Sequence, residues 1–307
     1  MRLHFLGTGG SWPTKRRGSM SIAVISGPTA VLLDCGEGTQ RQLINSSVSP
    51  MKIGAILISH LHGDHFLGVP GLVQTMALNN REDELYLFGP EGLIKAWESA
   101  LSMCPFRCTF PIKVAELSGG EQFEFKGIEI SCAHVDHSIP NLAFKLKERD
   151  RPGRFNRSRA IELGIPEGPL WGKLQRGERI EVEKDGKISE FGPEDVLGER
   201  RKGASIVYSG DTGPSAALIE LARGADALVH EATYAADMED LAKEVAHSTI
   251  GDAVKAAREA EVGKLFLVHS SPRYTKESRF DAYRKEALSG FPHVVIPEDM
   301  EEYEVNR

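Results

Sequence analysis

The sequence predicts an α/β fold in which buried sheets are covered by helices. Short apolar runs rich in β-branched residues recur along the chain, and between them apolar residues return at helical spacing. That alternation is typical of sheets packed against helices. The 307 residues, 41% of them hydrophobic, can bury one large core or two smaller ones, and the 31 glycines suit a fold with many loops.

The predicted elements form two series along the chain. The first series has strands at residues 2–6, 21–25, 30–34, 55–58, 85–88, 113–117, 122–125 and 128–132, with helices at 39–44, 69–78 and 91–101. The second has strands at 205–208, 227–230, 265–268 and 294–296, with helices at 216–221, 238–245, 250–260 and 279–288.

Residues 147–202 interrupt these series. Apolar periodicity fades there, Gly, Pro and charged residues dominate, and the stretch is too long for an ordinary connection. We therefore predict a single domain, 1–307, with an insertion at 147–202. Its start is basic: Lys145, Lys147, Arg149, Arg151, Arg154, Arg157 and Arg159 stand against Glu148 and Asp150. Such charge runs alone more often mark a solvated face.

The hexapeptide HLHGDH at residues 60–65 carries the clearest chemical signal. It follows the apolar run at residues 56–58, so His60 and His62 can face one way, while Gly63 lets the chain turn and present Asp64 and His65 differently. Two ligand pairs on one turn suit two adjacent cations. Imidazole and carboxylate favour zinc, manganese or iron, and the lack of a nearby thiolate favours a catalytic over a structural site. The alternative is a polar loop of solvated histidines.

Further candidate ligands follow other predicted strands. Asp211 comes after 204–208, His269 after 265–268, and both His134 and His137 after 128–132. Taken singly, Asp211 would more often cap the helix beginning near Pro214, and His269 would more often be structural. Their repeated placement at strand ends favours ligands, with the choice between His134 and His137 open.

Longer segments resemble the ribonuclease Z family, the tRNA 3′-processing endoribonucleases of the metallo-β-lactamase superfamily. The HxHxDH motif marks only the superfamily, which includes β-lactamases, thioesterases and phosphodiesterases. The other matching segments narrow the resemblance to the family; they are FLGTGGSWPTKRRGS, LLDCGEGTQRQL, DHSIPNLAF, GIPEGPLWGKLQRGE, YSGDTG, LVHEATY, AHSTIGDA and LVHSSPRY. The resemblance implies a four-layer αβ/βα sandwich whose inserted segment is a flexible arm that grips the tRNA elbow.

The resemblance also implies a ligand set for two Zn²⁺ per subunit, with Mn²⁺ or another divalent ion as the alternative. One metal would take His60, His62 and His137, the second Asp64, His65 and His269, and Asp211 would bridge them. His137 is preferred because Asp136-His137-Ser138-Ile139-Pro140 resembles the family's His-x-x-Pro turn. Asp34 would orient a ligating histidine; equally, it could be a polar turn residue ahead of the helix at 39–44.

The implied reaction is removal of the 3′ trailer from tRNA precursors by two-metal hydroxide attack, leaving a 3′-hydroxyl on the tRNA and a 5′-phosphate on the trailer. Asp64 would act in catalysis as well as in binding metal. His247 matches a general acid in the family's HST motif, with Glu231 as the carboxylate that favours its protonated ring. The alternative is that His247 caps the helix opening at Thr249.

Expected RNA contacts fall in two regions. Lys15 and Arg17 lie in a segment resembling the family's PxKxRN loop, where Gly18 replaces asparagine and leaves open how the loop handles a CCA end. In the insertion, the expected contacts are Arg154, Arg157, Gly168, Pro169 and Lys173. The family further implies a homodimer in which each arm serves the partner's active site.

Composition limits the remaining possibilities. A net charge of −7 and a pI near 5.9 require segregated basic residues if the partner is RNA. Four scattered cysteines predict a reducing compartment, with Cys104 and Cys108 as ordinary core thiols. No apolar run reaches membrane-spanning length and the start reads as a strand, so we expect a cytoplasmic protein without a membrane or DNA partner. Two rivals remain: a small-molecule hydrolase of the same superfamily and a metal-dependent RNA-binding protein without turnover.

Overall fold

A computed structural model describes residues 1–103, 105–184 and 186–305, without the side chain of Lys184. The chain divides into two compact units, one formed by Met1–Lys147 and Ala204–Arg307 and the other by Glu148–Gly203. Cys104 lies outside the described residues. Cys108, also expected to be a core thiol, is exposed, so that expectation was wrong; Cys35 and Cys132 are buried.

Sixteen strands and eleven α-helices lie within the described residues. The strands are β1 (Arg2–Gly7), β2 (Ser21–Ser26), β3 (Thr29–Leu33), β4 (Ile53–Leu57), β5 (Leu85–Gly89), β6 (Ile112–Glu116), β7 (Gln122–Phe125), β8 (Ile128–His134), β9 (Leu142–Glu148), β10 (Ile180–Lys184), β11 (Lys187–Phe191), β12 (Ser205–Tyr208), β13 (Ala227–Glu231), β14 (Lys264–Val268), β15 (Val294–Val295) and β16 (Glu302–Glu304). The helices are α1 (Thr39–Asn45), α2 (Gly63–Phe66), α3 (Gly68–Leu78), α4 (Leu93–Met103), α5 (Arg157–Glu162), α6 (Pro169–Gln175), α7 (Pro193–Val196), α8 (Ala216–Ala222), α9 (Glu239–Glu244), α10 (Ile250–Glu259) and α11 (Glu277–Gly290).

Two seven-stranded sheets form the larger unit. The first has the order β16-β1-β2-β3-β4-β5-β6 and the second β15-β14-β13-β12-β9-β8-β7. In each sheet, one run of neighbours is parallel: β3 to β6 in the first and β12 to β15 in the second. The carboxyl ends of parallel neighbours meet at one edge of a sheet, where polar loops can converge.

Side-chain alternation along the strands builds the layers. Val31 and Leu33 of β3 point into a core shared with Phe144 and Phe266 of the second sheet, whereas Leu32 points into an outer core against helices α1, α3 and α4. A third core packs the second sheet against α8, α10 and α11. The order of layers is therefore helix, sheet, sheet, helix, and the predicted four-layer sandwich is confirmed.

The smaller unit has a core of its own. Ala160, Ile165, Leu174, Ile180, Val182 and Val196 are buried together within α5, α6, α7 and the β10–β11 hairpin. We expected apolar periodicity to fade through this segment, but these six apolar residues pack into one core. Within the described residues, no helix is both long and apolar enough to span a bilayer.

Candidate metal centre and active site

The HLHGDH segment leaves the end of β4 and enters α2, and its imidazoles meet those of other loops. His60 Nε2 lies 2.9 Å from His62 Nδ1, and His137 Nε2 lies 3.3 Å from the same atom. We call these three histidines the first cluster. Burial lowers the pKa of His60 well below its usual value, so this ring is neutral and keeps a lone pair for a metal.

The second cluster consists of Asp64, His65 and His269. His65 Nε2 and His269 Nε2 are 3.3 Å apart, and Asp64 Oδ2 lies 3.3 Å from His269 Nε2 and 3.6 Å from His65 Nε2. The backbone of His269 is left-handed, with φ 61°, which turns the ring inward directly after β14. Gly10 packs against that ring, because a Cβ there would lie 2.7 Å from ring atoms of His269.

Asp211 lies between the two clusters. Its Oδ2 is 3.2 Å from His269 Nε2, 3.4 Å from His65 Nε2 and 3.7 Å from His60 Nε2. Burial raises the pKa of Asp211, but the imidazoles of His269 and His65 outweigh it and hold the pKa well below its usual value. Its Oδ1 is buried without a hydrogen-bond partner among the described residues. A buried carboxylate oxygen that accepts no hydrogen bond is stabilised by binding a cation.

These side chains fit divalent ions. Nitrogen and oxygen ligands about 2.1 Å from a tetrahedral zinc ion lie about 3.4 Å from one another. The ligand-atom distances quoted above run from 2.9 to 3.7 Å. Asp211 groups with the three histidines of the first cluster, and its Oδ2 also lies 3.2 Å from His269 Nε2 and 3.4 Å from His65 Nε2 of the second. His134, the competitor of His137, is exposed and 3.3 Å from the carbonyl oxygen of Asn141, away from this group.

The ring nitrogens that face away from the centre are held by neighbouring groups. His65 Nδ1 lies 2.6 Å from Asp34 Oδ2, and His269 Nδ1 lies 2.8 Å from Thr233 Oγ1. His137 Nδ1 is 3.0 Å from the carbonyl oxygen of Ala246, and His60 Nδ1 is 3.0 Å from Ser59 Oγ. An Nδ1–H donated to such an oxygen leaves Nε2 free to ligate.

Asp34 is fully buried, and its backbone adopts the left-handed conformation, with φ 57°. Its carboxylate accepts hydrogen bonds from Ser59 N at 2.7 Å, Ser59 Oγ at 2.8 Å and Tyr208 Oη at 2.5 Å, in addition to the contact with His65. The side chain thus points towards the histidines and not into the turn before α1. This position supports the expected orienting role.

The partly buried His247 and the buried Glu231 form a pair beside the clusters. His247 Nδ1 lies 2.7 Å from Glu231 Oε1 and 4.0 Å from Asp211 Oδ2. Burial lowers the pKa of His247, but the charge and hydrogen bond of Glu231 outweigh it and raise the pKa to about 9. Glu231 also accepts from the backbone N–H groups of Thr212 and Thr233.

Other residues cap the two neighbouring helices. Thr249 accepts a hydrogen bond from the Asp252 backbone and forms the N-cap of α10, so the idea that His247 caps this helix is wrong. Ser215 caps α8 in the same way, which removes the capping alternative for Asp211. Neither His247 nor Asp211 is therefore needed as a helix cap.

Comparisons with known proteins show the family of the chain. The chain matches the family model described as Anti-Pycsar protein Apyc1 over residues 1–149 and the one described as Beta-lactamase superfamily domain over residues 184–270. Ribonuclease Z of Methanothermobacter thermautotrophicus is 43% identical over 305 residues, which are 99% of this chain and 97% of the relative. Ribonuclease Z of Methanosarcina acetivorans is 41% identical over 305 residues, 99% of this chain and 98% of the relative. This chain belongs to the ribonuclease Z family.

Solved structures share the fold. The short form of human tRNase Z has a TM-score of 0.71 at 24% identity, with all of both chains covered. The metallo-β-lactamase fold protein YhfI from Bacillus subtilis has a TM-score of 0.70 at 19% identity, covering 99% of each chain. The chain thus has the metallo-β-lactamase fold, as the resemblance implied.

The residues expected to contact RNA lie in both units. In the larger unit, Lys15 is exposed, but the Arg17 guanidinium donates to Thr8 Oγ1 at 2.5 Å and to the Pro297 carbonyl oxygen at 2.8 Å. Arg17 also lies 5.2 Å from the centre of the Phe280 ring. Its guanidinium is therefore engaged within the protein, and Lys15 is the freer cation of this ribonuclease Z-family loop.

In the smaller unit, the expected contacts surround the start of α6. Gly168 is the N-cap residue, with φ 130°, and Pro169 is the first residue of the helix. Arg157 donates to Glu167 at 2.6 Å and lies 5.6 Å from the Trp171 ring centre. Gly168, Arg157 and Trp171 line a cavity of about 470 Å³. Arg154 and Lys173 are exposed in the same unit.

Sequence reasoning missed the residues that hold the ligands in place. Ser59, Thr233 and Tyr208 bind Asp34, Glu231 or a ligating histidine, yet each is a common residue type in a strand or loop. Two signals were available. Ser59 directly precedes His60. Thr233 lies two residues after Glu231 in the LVHEATY segment, where a hydroxyl close to a carboxylate is able to orient a neighbouring ring.

Proposed function

We propose that this protein is a zinc-dependent endoribonuclease that removes the 3′ trailer from tRNA precursors, leaving a 3′-hydroxyl on the tRNA and a 5′-phosphate on the trailer. The observation that carries the proposal is the pair of ligand clusters sharing Asp211, with the His247–Glu231 pair beside them. Membership in the ribonuclease Z family supplies the substrate class.

The proposed centre holds two divalent ions. His60, His62 and His137 would bind one, Asp64, His65 and His269 the other, and Asp211 both. Ions bound by these residues would supply positive charge to the phosphodiester and make water acidic enough to deprotonate near neutral pH. The donor set of imidazoles and carboxylates suits zinc, and manganese is the alternative.

His247 is the proposed proton donor to the departing 3′-oxygen. Glu231 accepts a hydrogen bond from Nδ1–H of His247 and so fixes the ring, which leaves Nε2 to carry the proton that the leaving oxygen needs. Glu231 is itself held by the Thr212 and Thr233 backbone amides, so the carboxylate does not rotate away. A protein that only bound RNA would have no use for such a pair.

The Glu148–Gly203 unit is the proposed tRNA-binding arm. Five arginines lie between residues 149 and 159, against Asp150 as the acidic residue of that stretch, in a chain whose net charge is −7. Local basic surface of this kind can bind the phosphate backbone although the whole protein is acidic. The family resemblance also supports a cytoplasmic homodimer in which each arm serves the partner's active site.

Cleavage mapping on a 3′-extended tRNA precursor tests this function. Purified protein is expected to cut directly after the discriminator base, with chelator abolishing the cut and added zinc restoring it. The control is Asp211→Asn, which keeps the volume of the side chain and removes its charge. A 2′,3′-cyclic phosphate on the product, or hydrolysis confined to small phosphodiesters, would reject the proposal.

A further inference from the structure

Asp299, near the end of the chain, joins the two ends of the loop at residues 8–18. Its Oδ1 accepts from Thr8 N at 3.0 Å and Thr8 Oγ1 at 2.8 Å. Its Oδ2 accepts from Gly18 N at 2.6 Å and Gln42 Nε2 at 3.2 Å. A carboxylate with four donors around it uses its full accepting capacity.

The turn that carries Asp299 is itself fixed to β1. Met300 N donates to the Phe5 carbonyl oxygen at 2.6 Å, and Phe5 N donates to the Glu301 carbonyl oxygen at 3.0 Å. Glu298 N donates to the Glu301 carboxylate at 3.0 Å. The carboxylate of Asp299 therefore acts from a rigid support, and it adds to the Gly9 N–Gly18 carbonyl hydrogen bond of 2.9 Å that already joins the two ends of the loop.

The loop in turn reaches two residues of the second cluster. The Thr8 carbonyl oxygen accepts from the backbone N–H of His269 at 2.9 Å, at the residue whose backbone is left-handed. Ser11 N donates to Asp64 Oδ2 at 2.7 Å. Within the part of the chain that the structure describes, we find no hydrogen bond from residues 8–18 to His60, His62 or His137 of the first cluster.

We propose that Asp299 is a positioning residue that sets the affinity of the second cluster for its metal ion and leaves the first cluster unaffected. The proposal rests on the two-ion centre of the proposed function. Its basis is the chain of contacts from Asp299 through Thr8 to His269, and along the loop to Ser11 and Asp64. Because Thr8 donates two hydrogen bonds to one carboxylate oxygen, loss of that oxygen leaves the Arg17 contact as the remaining side-chain hydrogen bond of Thr8, the residue that holds the strained His269 backbone.

Two variants and one matched control test the proposal. Asp299→Asn turns an amide N–H group towards either the Thr8 donors or those of Gly18 and Gln42, so one pair of donors loses its acceptor, and either loss releases one end of the loop that reaches His269 and Asp64. Asp299→Ala removes all four contacts, and if it fails to fold, Asp299→Asn decides the outcome. Glu301→Gln is the control, because Glu301 lies in the same turn and its carboxylate accepts from Glu298 N and Tyr303 Oη but not from the loop.

The readout is metal binding, measured by Co²⁺ titration and by metal analysis after dialysis. The unaltered protein and Glu301→Gln are expected to bind two ions. Asp299→Asn is expected to keep one ion at unchanged affinity and to bind the other about 10- to 100-fold more weakly, the usual effect of losing a group that orients a ligand. Its one-ion Co²⁺ absorption spectrum should match that of His269→Ala, which keeps the first cluster intact.

Each other outcome has a defined meaning. If the unaltered protein binds fewer than two ions, both this proposal and the two-ion centre are wrong. If the unaltered protein binds two ions while Asp299→Asn also binds both at unchanged affinity, or loses both equally, only the role of Asp299 is wrong. A merely structural defect would lower both affinities together or reduce the melting temperature without changing either.

Discussion

Replacing Asp34 by asparagine should weaken metal binding in both clusters, because it changes which ring nitrogen of a ligating histidine carries the proton. The carboxylate accepts four hydrogen bonds, from Ser59 N, Ser59 Oγ, His65 Nδ1 and Tyr208 Oη. An amide placed in the same volume can keep Ser59 N on its oxygen, and its NH₂ group then faces the other three. The hydroxyls of Ser59 and Tyr208 can rotate away or become acceptors, although the two amide hydrogens can serve only two of the three groups.

His65 has no such freedom. To accept from the amide, Nδ1 must lose its proton, and in a neutral ring the proton then occupies Nε2, the atom that faces Asp64, His269 and Asp211. His60 of the first cluster changes its protonated nitrogen in the same way, because a rotated Ser59 hydroxyl donates to His60 Nδ1 instead of accepting from it. One substitution thus sets the wrong tautomer in one histidine of each cluster.

The expected size of the effect follows from those contacts. Each affected ion should bind about 10- to 100-fold more weakly, or about 1.4 to 2.7 kcal/mol, because each cluster loses one correctly protonated ligand. The free energy of unfolding should fall by about 1 to 3 kcal/mol, since two of the four donors can adapt. The protein therefore stays folded and loses metal.

Competition with a chelator, followed by metal analysis, measures this. Asp226→Asn is the matched control, because Asp226 accepts from Ser205 N at 2.8 Å and Ser205 Oγ at 2.9 Å but touches no histidine of the centre. Asp226→Asn should bind two ions normally. An Asp34→Asn protein that binds both ions within twofold of the unaltered affinity would refute the tautomer argument.

Three further outcomes are expected. His247→Ala and Glu231→Gln should keep both ions yet cleave precursor tRNA about 10²- to 10⁴-fold more slowly; retained kcat in either would remove the proton-donor role. Replacing residues 148–204 by an Asn-Gly turn is feasible, because Lys147 and Ser205 face each other in an antiparallel pair. This replacement should weaken precursor binding while hydrolysis of bis(p-nitrophenyl) phosphate continues. Equal loss of both activities would contradict the role of the segment in binding tRNA. Gly10→Ala should displace the His269 ring and lower the affinity for one ion about 10- to 100-fold. The control Gly251→Ala, whose new methyl group meets only ordinary contacts, should leave both affinities unchanged. Two tightly bound ions in Gly10→Ala would contradict the packing argument.

Much of the fold was accessible from local pattern, and the failures have physical reasons. Strand β9 was not predicted, although Leu142, Phe144 and Leu146 are buried on one face, because the strand follows a polar turn and runs into the charged insertion. Strand β16 reads as an acidic tail. It pairs with β1 at the sheet edge, where Arg2 and Glu302 form an ion pair across the strands.

The candidate ligands could be named from sequence because a motif and a resemblance mark them, but what holds them could not. Asp34 and His269 adopt left-handed backbone conformations that no local pattern predicts for these residue types. The contacts of Asp299 with Thr8 join residues 291 positions apart, and spacing carries no information about such a pair. Long-range hydrogen bonds of this kind appear only once the sheets are assembled.

Anomalous scattering at the zinc edge, from crystals grown with zinc, tests the central claim most directly. Two peaks are expected, one among His60, His62 and His137 and one among Asp64, His65 and His269, each within bonding distance of Asp211. A single peak, or peaks that avoid Asp211, would contradict the two-ion centre on which the proposed cleavage of tRNA precursors depends.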